Sequence, residues 1–167
     1  MYPNFPHGCV RSLESMMPID ATALLANARS LQRAAQAGKT QPLLRGKKLG
    51  LLCDADADRD AAMFRRAAME LGAHVAYIRP SLTERSSLQE VEHTARVLGR
   101  LYDAVECQGM AAALVAQVGN DAGVPVYNGV ACPSHPTARL AEQLGDDSTP
   151  EENRRFVLQA VLLSTLV

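Results

Sequence analysis

The chain has 167 residues, of which 47% are hydrophobic and 21% are charged, and its formal net charge is −1. These values are typical of one globular domain with a sizeable core. The sequence contains no block of lysine and arginine, so nucleic acid and anionic membranes are not expected as partners. Its apolar runs are far shorter than a membrane-spanning helix requires.

The cysteines indicate a reducing environment. Cys9, Cys53, Cys107 and Cys132 are far apart and form no CxxC pair, so neither a zinc site nor a disulfide framework is expected. We therefore predict a cytoplasmic protein that needs no cofactor. Residues 1–19 lack the apolar core of a signal peptide, and we interpret them as an N-terminal leader.

Apolar periodicity predicts helices and strands in alternation from Asp20 onwards, with Asp20 as the cap of a helix that ends near Gly38. Four short apolar segments have the character of buried strands: Leu49–Cys53, Val75–Ile78, Ala104–Glu106 and Val124–Tyr127. The other predicted helices are Arg59–Leu71, one that Ser87 caps and that runs through Leu101, Met110–Val118, His135–Leu144, and one that Thr149 caps.

Strands that are separated by helices pair in parallel through right-handed crossovers. The predicted fold is an α/β single domain, a doubly wound four-stranded parallel sheet flanked by helices. It takes in residues 20–147, and residues 148–167 form a C-terminal helix that packs back on it. Ligands of such sheets bind beyond the carboxyl ends of the strands. This edge is expected to gather residues 54–60, 79–85, 108–109 and 128–135.

Five blocks of sequence carry a resemblance to a known family. They read LRGKKLGLL at 44–52, GAHVAYIRPS at 72–81, TARVLGRLYDAV at 94–105, AGVPVYNG at 122–129 and HPTARLAEQL at 135–144. In these blocks the chain resembles the ornithine carbamoyltransferases of the aspartate/ornithine carbamoyltransferase family. The resemblance implies the fold of the domain that binds carbamoyl phosphate.

The last helix resembles the same family. Glu151–Leu166 is similar to the family's C-terminal helix, yet only a short linker separates it from Leu144. The family's second domain, which binds ornithine, therefore has no counterpart between these two segments. The apolar side chains of the last helix require a partner surface.

The resemblance also locates the family's carbamoyl phosphate site. The family's Ser-Thr-Arg-Thr motif, at which a helix N-terminus and a guanidinium hold phosphate, corresponds to Ala57, Asp58, Arg59 and Asp60. A family glutamine corresponds to Glu84, and the arginine that polarises the carbamoyl group corresponds to Gln108. The final motif reads His135, Pro136, Thr137, Ala138, so that its histidine remains and its glutamine is lost.

These replacements add three carboxylates and remove one guanidinium around a site for a dianion. The aspartates could cap the helix and take the place of the phosphate. Alternatively, the alternating residues Asp54, Asp56, Asp58 and Asp60 could bind a cation, although Arg59 and Arg65 disagree with a calcium-loop pattern. A third reading is an altered, amine-bearing ligand. His135 could be an anion contact, a general acid or a structural cap.

We therefore expect a non-catalytic relative of a transferase, a pseudoenzyme of arginine biosynthesis that acts as a binding or oligomer-assembly module. By resemblance it would form a trimer with itself or with a full-length carbamoyltransferase. The alternative is a small-molecule binder or an enzyme with altered chemistry that still uses Arg59 and His135. Ornithine carbamoyltransferase activity itself is not expected.

Overall fold

A computed structural model describes residues 18–54 and 58–167. Six helices and four strands follow one another in the order that apolar periodicity predicts. They are α1 (Pro18–Gln36), β1 (Lys48–Leu52), α2 (Arg59–Glu70), β2 (His74–Ile78), α3 (Leu88–Leu101), β3 (Ala104–Cys107), α4 (Ala112–Ala122), β4 (Val126–Asn128), α5 (Thr137–Glu142) and α6 (Pro150–Leu166).

The four strands form one parallel sheet in the order β2-β1-β3-β4. Leu49 of β1 pairs with Val75 of β2 on one side and with Ala104 of β3 on the other. β2 and β3 thus lie on opposite sides of β1. The strand order therefore changes direction at β1, as it does in a doubly wound fold. The predicted fold class is confirmed.

Helices cover both faces of the sheet, so the core has two parts. One part packs α1, α2, α5 and α6 against one face and contains Leu49, Leu51 and Phe64. The other packs α3 and α4 against the opposite face and contains Leu52, Val105 and Val115. Because side chains of a strand alternate between faces, neighbouring residues of β1 belong to different halves of the core.

Two predicted capping boxes are present. Ser87 Oγ accepts the Glu90 N–H at 3.1 Å, and the Ser87 N–H donates to Glu90 Oε2 at 2.9 Å. Thr149 and Glu152 form the same reciprocal pair before α6. Each box satisfies helix N–H groups that would otherwise lack partners. These local signals explain why both helix starts could be predicted from sequence.

The C-terminal helix is buried on most of its circumference, which goes beyond the single apolar face that the sequence predicts. Residues 155–162 are all buried, and α6 packs against α1, α2 and α5. Its buried polar side chains form hydrogen bonds with neighbouring elements. For example, Gln159 Nε2 donates to Ala67 O at 3.2 Å. This helix is therefore an integral part of the fold.

The first helix differs from its prediction. Among the described residues it begins at Pro18, so Asp20 lies in its first turn and is not its cap. Proline fits a first helical turn because it has no N–H to leave unpaired. The leader, apart from its last two residues, lies outside the described residues.

Other bounds shift as well, including one or both ends of each strand by one or two residues. The helix predicted at Met110–Val118 runs from Ala112 to Ala122, the one predicted at His135 begins at Thr137, and β4 is Val126–Asn128.

A close approach of two helices accounts for one glycine. A Cβ atom on Gly99 of α3 would lie 1.8 Å from the carbonyl oxygen of Ala122 in α4. Only glycine allows this separation.

Within the described residues, no helix is both long and apolar enough to cross a bilayer.

Candidate functional site

The carboxyl ends of the strands meet at one edge of the sheet, where the predicted site lies. The Gln108 N–H donates to Leu52 O at 2.9 Å, which joins the end of β3 to the end of β1. The Gly129 N–H donates to Cys107 O at 2.9 Å and joins the end of β4 to β3. The segments that follow β1, β3 and β4 are thus held side by side.

A carboxylate occupies the N-terminus of α2. Asp58 is the N-cap of this helix, and its Oδ1 accepts the backbone N–H of Asp60 at 2.8 Å. A free helix N-terminus attracts anions through its N–H groups and its dipole. Here the chain's own side chain already takes that role. Of the three roles that the sequence leaves open for the acidic turn, this contact corresponds to helix capping.

Asp60 lies in the first turn of the same helix and is partly buried. Burial raises the pKa of its carboxyl group, and the neighbouring charge of Asp58 raises it further, whereas the positive charges of Arg154 and Arg59 lower it. Arg154 comes from α6, and its guanidinium donates to the carbonyl oxygen of Ala131 in the loop after β4. The C-terminal helix therefore supplies a cation to this edge of the sheet.

A second carboxyl group lies beneath this edge. Glu106 of β3 is fully buried, and its two oxygens accept the Val130 N–H at 3.2 and 3.1 Å. Burial raises the pKa of Glu106 to about 8, against the opposing effect of backbone N–H groups from Gly129, Val130 and Cys107. At neutral pH the group is thus mostly protonated and adds little negative charge.

His135 is held by the start of α5. The Thr137 N–H donates to His135 Nδ1 at 3.3 Å, and Thr137 Oγ1 donates to Val130 O at 2.9 Å. Burial lowers the pKa of His135, so the ring is neutral at neutral pH. With Nδ1 accepting, its proton is on Nε2. Ala138, the next residue, continues α5.

Gln108 has an unusual environment. The residue is only 7% exposed, yet neither its Oε1 nor its Nε2 has a hydrogen-bond partner within residues 18–54 and 58–167. Most buried polar atoms are paired. This amide stands where the resemblance implies an arginine, and it is a neutral group enclosed at the end of β3.

Two other predicted site residues are less closely connected. Glu84 is exposed in the loop after β2, and the structure records no contact between it and the other described candidates. Ala57 lies outside the described residues, as does Asp56. Asp54 is exposed, and the described residues contain no group of three His, Cys, Asp or Glu side chains that could hold a metal ion.

Sequence reasoning missed Glu106 and Arg154. A signal for Glu106 existed, because a charged residue in a strand of a parallel sheet that helices cover on both faces lies in the core. Arg154 could not be found from helix periodicity alone, since adjacent Arg155 has the same charge and points elsewhere, pairing with Glu70 of α2 at 3.0 Å.

Comparisons with known proteins identify the family to which this fold belongs. Residues 10–144 match the family model of the aspartate/ornithine carbamoyltransferase carbamoyl-P binding domain. Ornithine carbamoyltransferase of Actinobacillus pleuropneumoniae is 41% identical over 121 residues, which are 72% of this chain and 36% of that protein. The enzyme of Cutibacterium acnes is 40% identical over the same shares. The chain thus spans little more than a third of these relatives.

Solved structures show the same fold. The ornithine carbamoyltransferase from Pyrococcus furiosus aligns with a TM-score of 0.68 at 27% identity, over 79% of this chain and 42% of that one. A putative aspartate carbamoyltransferase from Trypanosoma cruzi aligns with a TM-score of 0.63 at 26% identity, over 83% and 46%. From the matched family model, the sequence relatives and the shared fold, this chain belongs to the aspartate/ornithine carbamoyltransferase family.

Proposed function

We propose that the chain is a non-catalytic carbamoyltransferase-like domain that acts as a binding or oligomer-assembly module. The observation that supports this proposal most directly is the hydrogen bond that the Asp60 N–H donates to Asp58 Oδ1. It fills the helix N-terminus that would receive the phosphate of carbamoyl phosphate. A dianion would have to displace a tethered carboxylate and then lie beside it.

The surrounding charges support the same conclusion. Asp58 and Asp60 stand in place of two hydroxyl donors of the family motif, and Gln108 stands in place of a guanidinium. His135 is neutral, and Arg154 is held at Ala131 O. A single uncompensated charge pair about 4 Å apart is worth about 4 kcal/mol at an effective dielectric near 20. Screening would have to remove most of this repulsion before phosphate could bind well.

A surface suited to assembly lies along the edge of the sheet that β2 forms. β2 is an edge strand, and its Tyr77 is 37% exposed beside Met69 of α2, which is 48% exposed. The Arg65 guanidinium lies 5.9 Å from the Tyr77 ring centre. Tyrosine, methionine and arginine are enriched at protein interfaces, and an uncovered sheet edge invites a partner.

This α2–β2 face supports association with a second copy or with a full-length carbamoyltransferase. By resemblance the assembly is a trimer. The proposed module works in the cytoplasm beside the enzymes of arginine biosynthesis.

Three measurements test the proposal. Isothermal titration with carbamoyl phosphate should show no binding at millimolar ligand, and ornithine with carbamoyl phosphate should yield no citrulline. Native mass spectrometry, alone and with a full-length ornithine carbamoyltransferase, should show a defined oligomer. Micromolar binding of carbamoyl phosphate would refute the non-catalytic part, and a monomer in both samples would refute the assembly part.

The amide of Gln108, which has no hydrogen-bond partner in the described part of the chain, favours a second candidate, a binder or enzyme with altered chemistry at the same site. An amide offers one acceptor and two donors, which suit a ligand with amine or amide groups. A thermal-shift screen with ornithine, polyamines, urea and divalent ions tests this candidate. If none of them raises the melting temperature, the altered-ligand candidate fails.

A further inference from the structure

Two adjoining cavities form a groove between α1, α6 and the loop of residues 39–43. The first has a volume of about 300 Å³ and the second about 260 Å³. Both are lined by Ser30, Leu31 and Leu43. The groove extends along α6 from Arg155 to Val167, which is about 18 Å at 1.5 Å per helical residue. We call it the α1–α6 groove.

This groove is separate from the candidate site. Asp58 caps the N-terminus of α2, whereas Glu70, which lines the groove, ends that helix. The twelve residues of α2 place the two locations about 18 Å apart. A ligand of the groove would therefore not touch the acidic turn.

One end of the groove has an excess of positive charge. Glu70 Oε1 pairs with Arg66 Nε at 3.0 Å, while its Oε2 lies 3.0 Å from Arg155 Nε and accepts from Gln159 Nε2 at 3.1 Å. This single carboxylate thus faces two guanidiniums, and Lys39 lines the same cavity. Both oxygens of Glu70 are occupied by these contacts.

The guanidinium of Arg155 has unused capacity. The residue is only 8% exposed, and its Nε lacks a hydrogen bond of good geometry even toward Glu70. Among the described residues, its terminal nitrogens have no hydrogen-bond partner and Lys39 has no ion pair. A buried cation with open donors is the natural site for a carboxylate.

The remainder of the groove is mainly apolar, although Asn27 and Ser164 also line it. Leu31, Leu43, Phe156 and Leu163 contribute its walls. Leu43 is 49% exposed although it lies where the two cavities join. The hydroxyl of Ser30 donates to Ala26 O within its own helix, so it does not need a hydrogen-bond acceptor from a ligand. An alkyl chain lying over Leu43 would remove apolar surface from water.

From this combination we propose that the α1–α6 groove binds a single-chain fatty carboxylate. Its head group pairs with Arg155 and Lys39, and its chain lies over Leu43 toward Leu163. Cavities of several hundred cubic ångströms, with apolar walls and one fixed polar group, are typical of small-ligand sites. The proposal is independent of the proposed function at the acidic turn.

Submicellar decanoate is the probe. We expect it to bind with saturation and to raise the melting temperature, whereas 1-decanol and decyltrimethylammonium bind at least about tenfold more weakly because they lack the anionic head. Proton–nitrogen NMR of the full chain should place the largest shift changes at residues 27–43 and 155–167. Equal binding of the three amphiphiles, or changes spread over the surface, would overturn the proposal.

Variants separate this site from general surface adsorption. Arg155→Met also removes the pairing with Glu70 across two helices, so the exposed variants Leu43→Glu and Lys39→Glu carry the test. Each puts a negative charge beside the bound ligand and should weaken decanoate about tenfold or more. Leu101→Glu and Arg100→Glu, on α3, are matched exposed controls and should change affinity less than twofold. If the groove variants behave like the controls, the inference is wrong.

Discussion

Glu106 of β3 holds the loop after β4 in place, because both of its buried carboxyl oxygens lie within 3.2 Å of the Val130 N–H. This loop carries Ala131, whose carbonyl oxygen receives Arg154. It also carries Val130 O, which receives the Thr137 hydroxyl. A single buried acid thus supports the contacts of α5 and α6 with the candidate site.

The first prediction concerns pH. Because the pKa of Glu106 rises from 4.5 to about 8 on folding, the folded chain holds a proton that the unfolded chain releases. Stability from this group is complete below pH about 4.5 and is lost as pH rises toward 8. The free energy of unfolding of the wild type, relative to Glu106→Gln, should fall by up to about 1.4 kcal/mol per pH unit in that window.

Urea unfolding at several pH values from 5 to 8.5 measures this difference. Taking it relative to Glu106→Gln cancels the opposite contribution of His135, whose lowered pKa makes stability rise with pH. Glu142→Gln, at an exposed position on α5, is the control and should follow the wild type. A constant difference between wild type and Glu106→Gln would contradict the prediction.

The second prediction concerns the cap of α2. Asp58→Ala should lower the free energy of unfolding by about 1 kcal/mol, since the Asp60 N–H loses its acceptor. Asp58→Ser keeps a capping oxygen and should recover most of the loss. Thermal unfolding at neutral pH measures both. If alanine and serine are equally destabilising, the observed hydrogen bond does not stabilise the helix.

The third prediction is a gain of phosphate binding. Asp58→Thr and Asp60→Thr together with Gln108→Arg remove two carboxylates and add one guanidinium. Affinity for inorganic phosphate should then rise by about 100-fold or more, because a repulsion of a few kcal/mol is removed. Isothermal titration measures the change, and circular dichroism checks that the variant is folded. A folded variant that still does not bind phosphate would show that electrostatic repulsion is not what prevents binding at this site.

The fourth prediction concerns Gln108. An unpaired buried amide costs about 1–3 kcal/mol, so Gln108→Met should raise the free energy of unfolding by about 1 kcal/mol. Gln89→Met, at an exposed position on α3, should change it by less than about 0.5 kcal/mol. Chemical denaturation compares them. A clear loss of stability in Gln108→Met would mean that the amide has a partner in solution.

The fifth prediction addresses the α2–β2 face. Tyr77→Asp removes an exposed aromatic ring that lies under Arg65 and adds a charge at the sheet edge. We expect the assembled fraction in native mass spectra to fall to monomer, while the melting temperature of the monomer changes little. Leu101→Asp alters an exposed residue of α3 and serves as the control. Assembly that survives Tyr77→Asp but not Leu101→Asp would place the interface elsewhere.

Local sequence patterns were sufficient to predict the order of the elements and to propose where the site lies. Strand alternation, the two capping boxes and the turn after β1 are local features, so nearby residues suffice to predict them. Parallel connectivity then required the strand ends to meet at one edge. For the same reason Asp58, Gln108 and His135 could be assigned to one site before their contacts were known.

Which groups are charged and which charges are compensated follows from the three-dimensional packing, and no local pattern of residues shows it. Glu106 reads as one more acid in the sequence, but burial keeps it mostly protonated. Arg154 is distant along the chain, yet α6 brings it to Ala131. The α1–α6 groove likewise combines three segments that no local pattern connects. Desolvation and pairing depend on what surrounds a group in space, and the packing of α6 fixes those surroundings.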